Sequence, residues 1–341
     1  MSAQAGKIRV AVIGCGAFGR NHARIYKQLQ QEGAGIELAG VVDADPQRAS
    51  SVAAEFGTLA FRSTSDLRGK IDAASIAVPT IHHLDVAREV MENGADVLVE
   101  KPIASSLAEA DELIALASRT GRIAQVGHLE RFNPAVMATV PLVTQPMFFE
   151  VHRLSVFTPR SLDVDVVMDL MIHDLDVVLS LVKSPVRELH AVGLPVISNK
   201  VDIANVRIEF DSGCVANFTA SRVSTEKVRK LRFFQPHEYI SIDYGRQDVI
   251  TIRVDDRAAA AWLRGEVPVS PGPAPGIAVN KPKVEAREPL RTEIEAFLAA
   301  VRSRTTPQVS LADGRAALAL ALEINEAIAK HHRRAGLGAI T

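Results

Sequence analysis

Asp169 and His173 stand four residues apart in Val164–Val182, a stretch that is apolar nearly all round apart from its ionisable groups. Residues at i and i+4 of a helix share a face, and here Asp176 follows one turn on. Ionisable groups in a buried helix are costly unless they are paired or functional. A histidine oriented by a carboxylate is the usual proton-transfer arrangement near neutral pH; the same spacing also suits a plain buried His–Asp hydrogen bond. A second candidate is Glu100-Lys101-Pro102, which ends the apolar run Val97–Val99. Ligands of doubly wound sheets bind beyond the carboxyl ends of the strands, so Lys101 stands where it can polarise or anchor a substrate oxygen. Taken alone, it is equally compatible with a surface lysine.

The third candidate binds rather than reacts. Gly14-Cys15-Gly16-Ala17-Phe18-Gly19 follows the first apolar run and opens a helical stretch. The first glycine of such a loop allows a tight turn, the second lets a pyrophosphate approach the backbone, and the third lets helix and strand pack closely. The helix N-terminus then offers amide donors and a positive dipole end. Asp43 ends the next apolar run at about the 20-residue spacing of a ribose-binding acid, which favours NAD over NADP. Cys15 lies at a variable loop position and reads as a structural thiol.

These residues need elements to carry them. Up to residue 127, short continuous Val/Ile-rich runs (Ile8–Ile13, Leu38–Val42, Ala73–Val78, Val97–Val99, Ile123–Val126) alternate with helical stretches at Gly19–Gln31, Pro46–Phe56, His82–Glu92 and Leu107–Arg119. Continuous apolar runs are strands buried on both faces, so the expectation is a doubly wound parallel sheet of the Rossmann type over residues 1–127. Ser106 and Glu109 form a capping-box pattern before the last helix. After Pro134, one apolar helix precedes period-2 segments: Glu188–Leu194, Val201–Phe210, Cys214–Arg222, Val228–Phe234, Tyr239–Asp243 and Val249–Val254. That predicts an α+β second domain over 128–341 with a large, mostly antiparallel sheet. The prolines within 265–289 predict a loop there, and helices are expected at Leu290–Arg302 and Leu311–His331.

Composition narrows the class. With 39 Lys+Arg against 40 Asp+Glu, the chain lacks the basic excess of a nucleic-acid or membrane-surface binder. Two cysteines exclude a disulfide framework and any four-cysteine zinc site, and the scattered histidines form no metal pattern. No apolar run approaches the roughly 20 residues of a membrane span, and the N-terminus lacks a signal-peptide pattern. The expectation is a cytoplasmic protein with no metal, nucleic-acid or membrane partner.

In combination, the glycine loop, Ala77-Val78-Pro79-Thr80-Ile81-His82-His83, Glu100-Lys101-Pro102 and the Asp169–His173 helix resemble the glucose–fructose oxidoreductase / inositol dehydrogenase / MocA (Gfo/Idh/MocA) family along essentially the whole chain. The resemblance implies an NAD-dependent sugar dehydrogenase. Its cofactor residues would be Gly14, Gly16, Ala17, Phe18, Gly19, Asp43, Pro79, Thr80, His83, Glu100 and Lys101. Lys101, Asp169 and His173 would be catalytic, and Arg131 and Arg222 would join them in binding substrate. Departures from the commoner pattern are Thr80 in place of Asn and His128 and Glu130 in the segment 127–134. That segment, with 169–176, Ala216–Ser224 and Tyr239–Tyr244, is similar to nucleotide-sugar dehydrogenases that oxidise UDP-N-acetylglucosamine at C3.

That subgroup implies a UDP-sugar substrate, a homodimer or homotetramer formed through the second domain, and a downstream aminotransferase without stable complex. The product would feed 2,3-diamino sugars of lipid A or another glycan. A diphosphate needs cations; Arg222, Lys227, Arg229, Lys230 and Arg232, with Arg131 and His152-Arg153, are the candidates, each also compatible with a solvated or interface salt bridge. The rival readings are an inositol or free-sugar dehydrogenase and, from another class, a non-catalytic NAD(H) sensor.

Overall fold

A computed structural model describes residues 6–158, 164–255, 257, 260–261, 264–266 and 277–337. They divide into two compact units, residues 1–129 with 288–318 and residues 130–287 with 319–341.

The first unit holds β1 (Ile8–Ile13), α1 (Ala17–Gln31), β2 (Ile36–Val42), α2 (Pro46–Phe56), β3 (Leu59–Phe61), β4 (Ala73–Ile76), α3 (His83–Glu92), β5 (Asp96–Glu100), α4 (Leu107–Thr120) and β6 (Ala124–Gly127). The strands form one parallel sheet in the order β3-β2-β1-β4-β5-β6, the doubly wound order expected of a Rossmann unit. β1, β4 and β5 are almost wholly buried, as continuous apolar runs require. The Ser106 hydroxyl accepts from the Glu109 amide, while the Glu109 carboxylate accepts from the Ser105 amide, so the capping box closes one residue early.

The second unit holds α5 (Pro134–Thr139), β7 (Phe148–Val156), a π-helical turn (Val167–Met171) running into α6 (Ile172–Val182), then β8 (Val186–Leu194), β9 (Ile203–Phe210), β10 (Val215–Ser224), β11 (Val228–Gln235), β12 (Glu238–Asp243), β13 (Asp248–Val254) and β14 (Ile277–Asn280). Its eight strands run β14-β13-β12-β11-β7-β10-β9-β8, antiparallel except for β7 beside β10. Two strands correct the sequence reading. β7 alternates buried and half-buried residues yet carries Arg153 at an inward position, which interrupts its apolar pattern. β14 lies within the stretch read as loop; Pro268, Pro271, Pro273 and Pro275 of that stretch lie outside the described residues.

The chain closes with α7 (Pro289–Ser303) and α8 (Leu311–Arg334). A sequence boundary at 127/128 assigns both to the second domain, yet Glu288–Leu318 counts with the first unit. Ile294, Phe297, Leu298 and Val301 of α7 pack into one core with Tyr26, Leu29, Ile36 and Leu38. Among the described residues no helix is long and apolar enough to cross a membrane.

Candidate functional site

In the first unit the crossover from β1 to the outward strands makes a crevice, and the glycine loop sits at its lip. Gly14 has φ +94°, and a Cβ there would lie 2.5 Å from the Ala77 carbonyl oxygen. A Cβ on Gly19 would collide with the Gly14 carbonyl, whereas one on Gly16 would meet nothing within 4 Å. Two glycines are therefore fixed by packing and the third keeps a face open. Gly16 is also the N-cap of α1 without a side-chain cap, leaving first-turn amides for an anionic group.

A cavity of about 660 Å³ extends from this loop, lined among others by Gly14, Gly16, Asp43, Arg48, Arg62, Pro79 and His82. An open glycine, an uncapped helix end and an acid at the end of β2 together fit a dinucleotide. Asp43 has a second task that its spacing does not reveal. Its carboxylate accepts from the Cys15 amide at 2.6 Å and from the Asp45 amide at 2.8 Å, clamping the glycine loop. Arg48 reaches the same carboxylate at 3.3 Å. Burial pushes the Cys15 thiol up to about 12, consistent with a structural thiol.

Ala17, Phe18, Gly19, Thr80, His83, Glu100 and Lys101 are not among the residues lining that cavity. His83 is buried, and its ring nitrogens lie 3.0 Å from the Pro102 carbonyl and 3.0 Å from the Val78 carbonyl. A neutral imidazole carries one N–H, so the ring donates to one of these two carbonyls at a time, and backbone lies against both of its nitrogens. Glu100 lies against His22 at 2.9 Å, and the Lys101–Pro102 peptide is cis.

In the second unit, Asp169 lies in the π turn and His173 in the first turn of α6, both half-buried. Single π turns within α-helices occur frequently at functional sites. Most of the rest of α6 is buried, including Asp174 and Asp176. Arg153, 3% exposed, binds Asp174 through two hydrogen bonds of 2.6 and 2.9 Å and Glu130 through one of 3.0 Å. Its guanidinium lies 5.2 Å from the centre of the Tyr244 ring. Asn133 donates to Glu130 and to the Tyr244 carbonyl, and Arg131 lies 3.4 Å from Asp176. Burial works against Arg153's charge, but Asp174 and Glu130 more than offset it and raise its pKa. Three segments that carry the resemblance, 127–134, 169–176 and 239–244, thus meet at one arginine.

This network sorts the basic candidates. Arg153 and Arg131 face buried acids. Arg222, 6% exposed, donates to the Val164 carbonyl and lies 3.8 Å from Asp202, so its guanidinium is engaged within the second unit. Arg232 pairs with Glu150 at 3.2 Å and Lys230 with Asp243 at 4.0 Å. Arg229 differs. It stands opposite Arg153 in the β11–β7 register, and its Nε is buried with no hydrogen-bond partner among the described residues. Burial, and then the charge of Arg153, lower its pKa. A guanidinium held in this way is poised to take an anion.

The chain is similar to known proteins along most of its length. A family model described as an oxidoreductase family with an NAD-binding Rossmann fold (GFO/IDH/MocA) matches residues 8–128, and its C-terminal-domain counterpart matches residues 145–235. The chain is 37% identical over 322 residues to the UDP-N-acetylglucosamine 3-dehydrogenase of Acidithiobacillus ferrooxidans, covering 94% of this chain and 97% of that one. A solved structure of that enzyme superposes with a TM-score of 0.85 at 34% identity, covering 95% of this chain and 98% of the other. The scyllo-inositol 2-dehydrogenase (NAD(+)) of Bacillus subtilis is 30% identical over 238 residues, 64% of this chain and 68% of that one.

Proposed function

This chain belongs to the GFO/IDH/MocA oxidoreductase family, and on that premise we propose that it oxidises C3 of UDP-N-acetylglucosamine to the 3-keto sugar with NAD. The observation that carries the substrate is the 37% identity, spanning 94% of the chain, to an enzyme named for that reaction. Arg229 supports it from the side of charge, as an inward-facing guanidinium suited to a diphosphate oxygen.

The roles follow from chemistry. Gly14, Gly16, Asp43 and the amides opening α1 hold the dinucleotide; NAD, when bound, supplies the hydride acceptor. His173 accepts the proton of the hydroxyl being oxidised, with Asp169 orienting its ring. Lys101 hydrogen-bonds that oxygen and steadies the negative charge that grows as the proton leaves. The carbinol gives its proton to His173, and with the hydride acceptor in place a ketone would remain. General-base assistance is worth roughly 10²–10⁴ in rate, and stabilisation of the oxyanion about 10²–10³ for a single donor. A 3-keto product is the substrate an aminotransferase needs, which fits a role in 2,3-diamino-sugar synthesis, in the cytoplasm, as a homodimer or homotetramer.

The test is NADH formation across UDP-N-acetylglucosamine, inositols and free sugars. Turnover confined to the UDP-sugar supports the proposal. Turnover confined to an inositol favours the second reading, for which the Bacillus subtilis relative speaks. His173→Ala and Lys101→Ala are each expected to lower kcat at least about 10²-fold and leave NAD affinity near that of the unmodified enzyme. Near-normal turnover in both variants overturns the roles. Arg229→Met is expected to raise the KM for the UDP-sugar about tenfold and leave the NAD KM alone, the loss of one charge-assisted contact.

A further inference from the structure

Lys101 stands between two residues that are each fastened to a histidine of another element. On one side, the Glu100 carboxylate lies 2.9 Å from Nε2 of His22, which sits in the middle of α1 and is fully buried. Nδ1 of His22 lies 3.0 Å from the Ser75 hydroxyl of β4, and that hydroxyl also meets the Tyr26 hydroxyl at 2.9 Å. On the other side, the Pro102 carbonyl lies 3.0 Å from Nδ1 of His83, at the start of α3, whose Nε2 lies 3.0 Å from the Val78 carbonyl. Neither histidine lines the nucleotide cavity.

Two buried histidines flanking one lysine are more than packing requires. A hydrophobic side chain would fill either place without the cost of burying an imidazole, and it would leave the Glu100 carboxylate without its partner. The His22 contact, and the Pro102 contact in the tautomer of His83 that carries its proton on Nδ1, each fix the chain within one residue of Lys101, so together they set where the Lys101 Cα lies and which way its side chain leaves the backbone. Burial alone would drive the Glu100 carboxyl up; the His22 bond, and then the charge of Lys101, bring it below its ordinary range and keep a charged anchor beside the lysine. Burial likewise lowers the His83 pKa, although both carbonyls work against that shift.

We propose that His22 and His83 are positioning residues, a pair of clamps that hold Lys101 in the geometry its ammonium needs. The inference rests on the role given to Lys101 above. A misplacement of about 1 Å in such a group is worth roughly 10²-fold in rate.

The two rings use opposite nitrogens on the Lys101 side, which allows a crossed test. A glutamine amide reproduces Nε2 and an asparagine amide reproduces Nδ1. His22→Gln keeps the bond to Glu100 and is expected to stay within about threefold of the parent kcat; His22→Asn loses it and is expected to fall about 10- to 100-fold. At position 83 the order reverses: His83→Asn keeps the Pro102 bond, and His83→Gln loses it. KM values for NAD and UDP-N-acetylglucosamine should change little in all four variants.

A second readout needs no turnover. After reductive ¹³C-methylation, the Lys101 resonance, assigned by its loss in Lys101→Ala, should move in His22→Asn and His83→Gln and stay put in the other two. Crossed behaviour in the resonance supports the clamps. Uncrossed behaviour, with Gln and Asn equivalent at each position, overturns them. Should Lys101→Ala turn over normally while the resonance crosses, the role given to Lys101 fails and the clamps stand.

Discussion

Asp43 and Arg153 are both buried charges, 8% and 3% exposed, yet they are satisfied by different means. Asp43 is held by backbone amides of Cys15 and Asp45, within a loop whose shape is set by glycines. Arg153 is held by Asp174 and Glu130, which come from a helix and from a turn distant in sequence. The first unit thus builds its site from main chain and the second from side chains. A main-chain site tolerates changes of side chain except where a Cβ intrudes. A side-chain site fails when one partner is removed, because the others are left charged and buried.

The largest effect that tests this contrast is at Arg153. Arg153→Met should cost about 3–5 kcal/mol in urea unfolding, since Asp174 and Glu130 lose their common cation. Arg153→Lys should recover little, because an ammonium cannot reproduce the two-bond contact with Asp174. Stability near that of the parent in Arg153→Met would show that the network is decoration.

Next come the glycines. Gly14→Ala should destabilise by about 1–3 kcal/mol, from its positive φ and the collision with Ala77. Gly16→Ala should leave unfolding within about 0.5 kcal/mol of the parent, yet weaken NAD binding measured by fluorescence titration. An unfolded Gly16→Ala protein would break the distinction between packing glycines and the open one.

A smaller effect is expected from Asp43→Asn. The amide oxygen can still accept from Cys15 but the amide nitrogen then faces the Asp45 amide and that bond is lost, so the loop should loosen without unfolding while the preference for NAD over NADP narrows, read as the ratio of the two Kd values.

The smallest effect is a pH dependence. Burial holds the His83 pKa below the ordinary imidazole value of about 6.5. As pH falls below that value the unfolded chain takes up a proton that the folded chain refuses, so stability drops. The melting temperature should therefore decline between about pH 7 and 5, less steeply in His83→Asn.

The same contrast explains what is legible in the sequence. The glycine loop, Asp43 and Lys101 are local: each is a residue type at a fixed distance from a strand end, and periodicity locates the strand. The π turn before His173 leaves no mark in periodicity. β7 escapes a reading by pattern because Arg153 occupies an inward position where alternation calls for an apolar residue; the partners that make this tolerable, Asp174 and Glu130, lie 21 and 23 residues away. β3 and β14, of three and four residues, are too short for any period to register. Arg222, Arg229, Lys230 and Arg232 read alike as a run of basic residues, and only the strand register separates Arg229 from its paired neighbours.

The discontinuity of the first unit has a consequence for synthesis. Its core needs Phe297 and Leu298 of α7 beside Tyr26 and Leu29 of α1, and residues 130–287 of the second unit are translated in between. On the ribosome, where domains ordinarily fold from the N-terminus as they emerge, the nucleotide-binding half must wait with an open hydrophobic flank until residues 130–287 have been made and α7 has followed them. Its completion therefore comes after most of the second unit has been translated, although β1 is made before any of that unit.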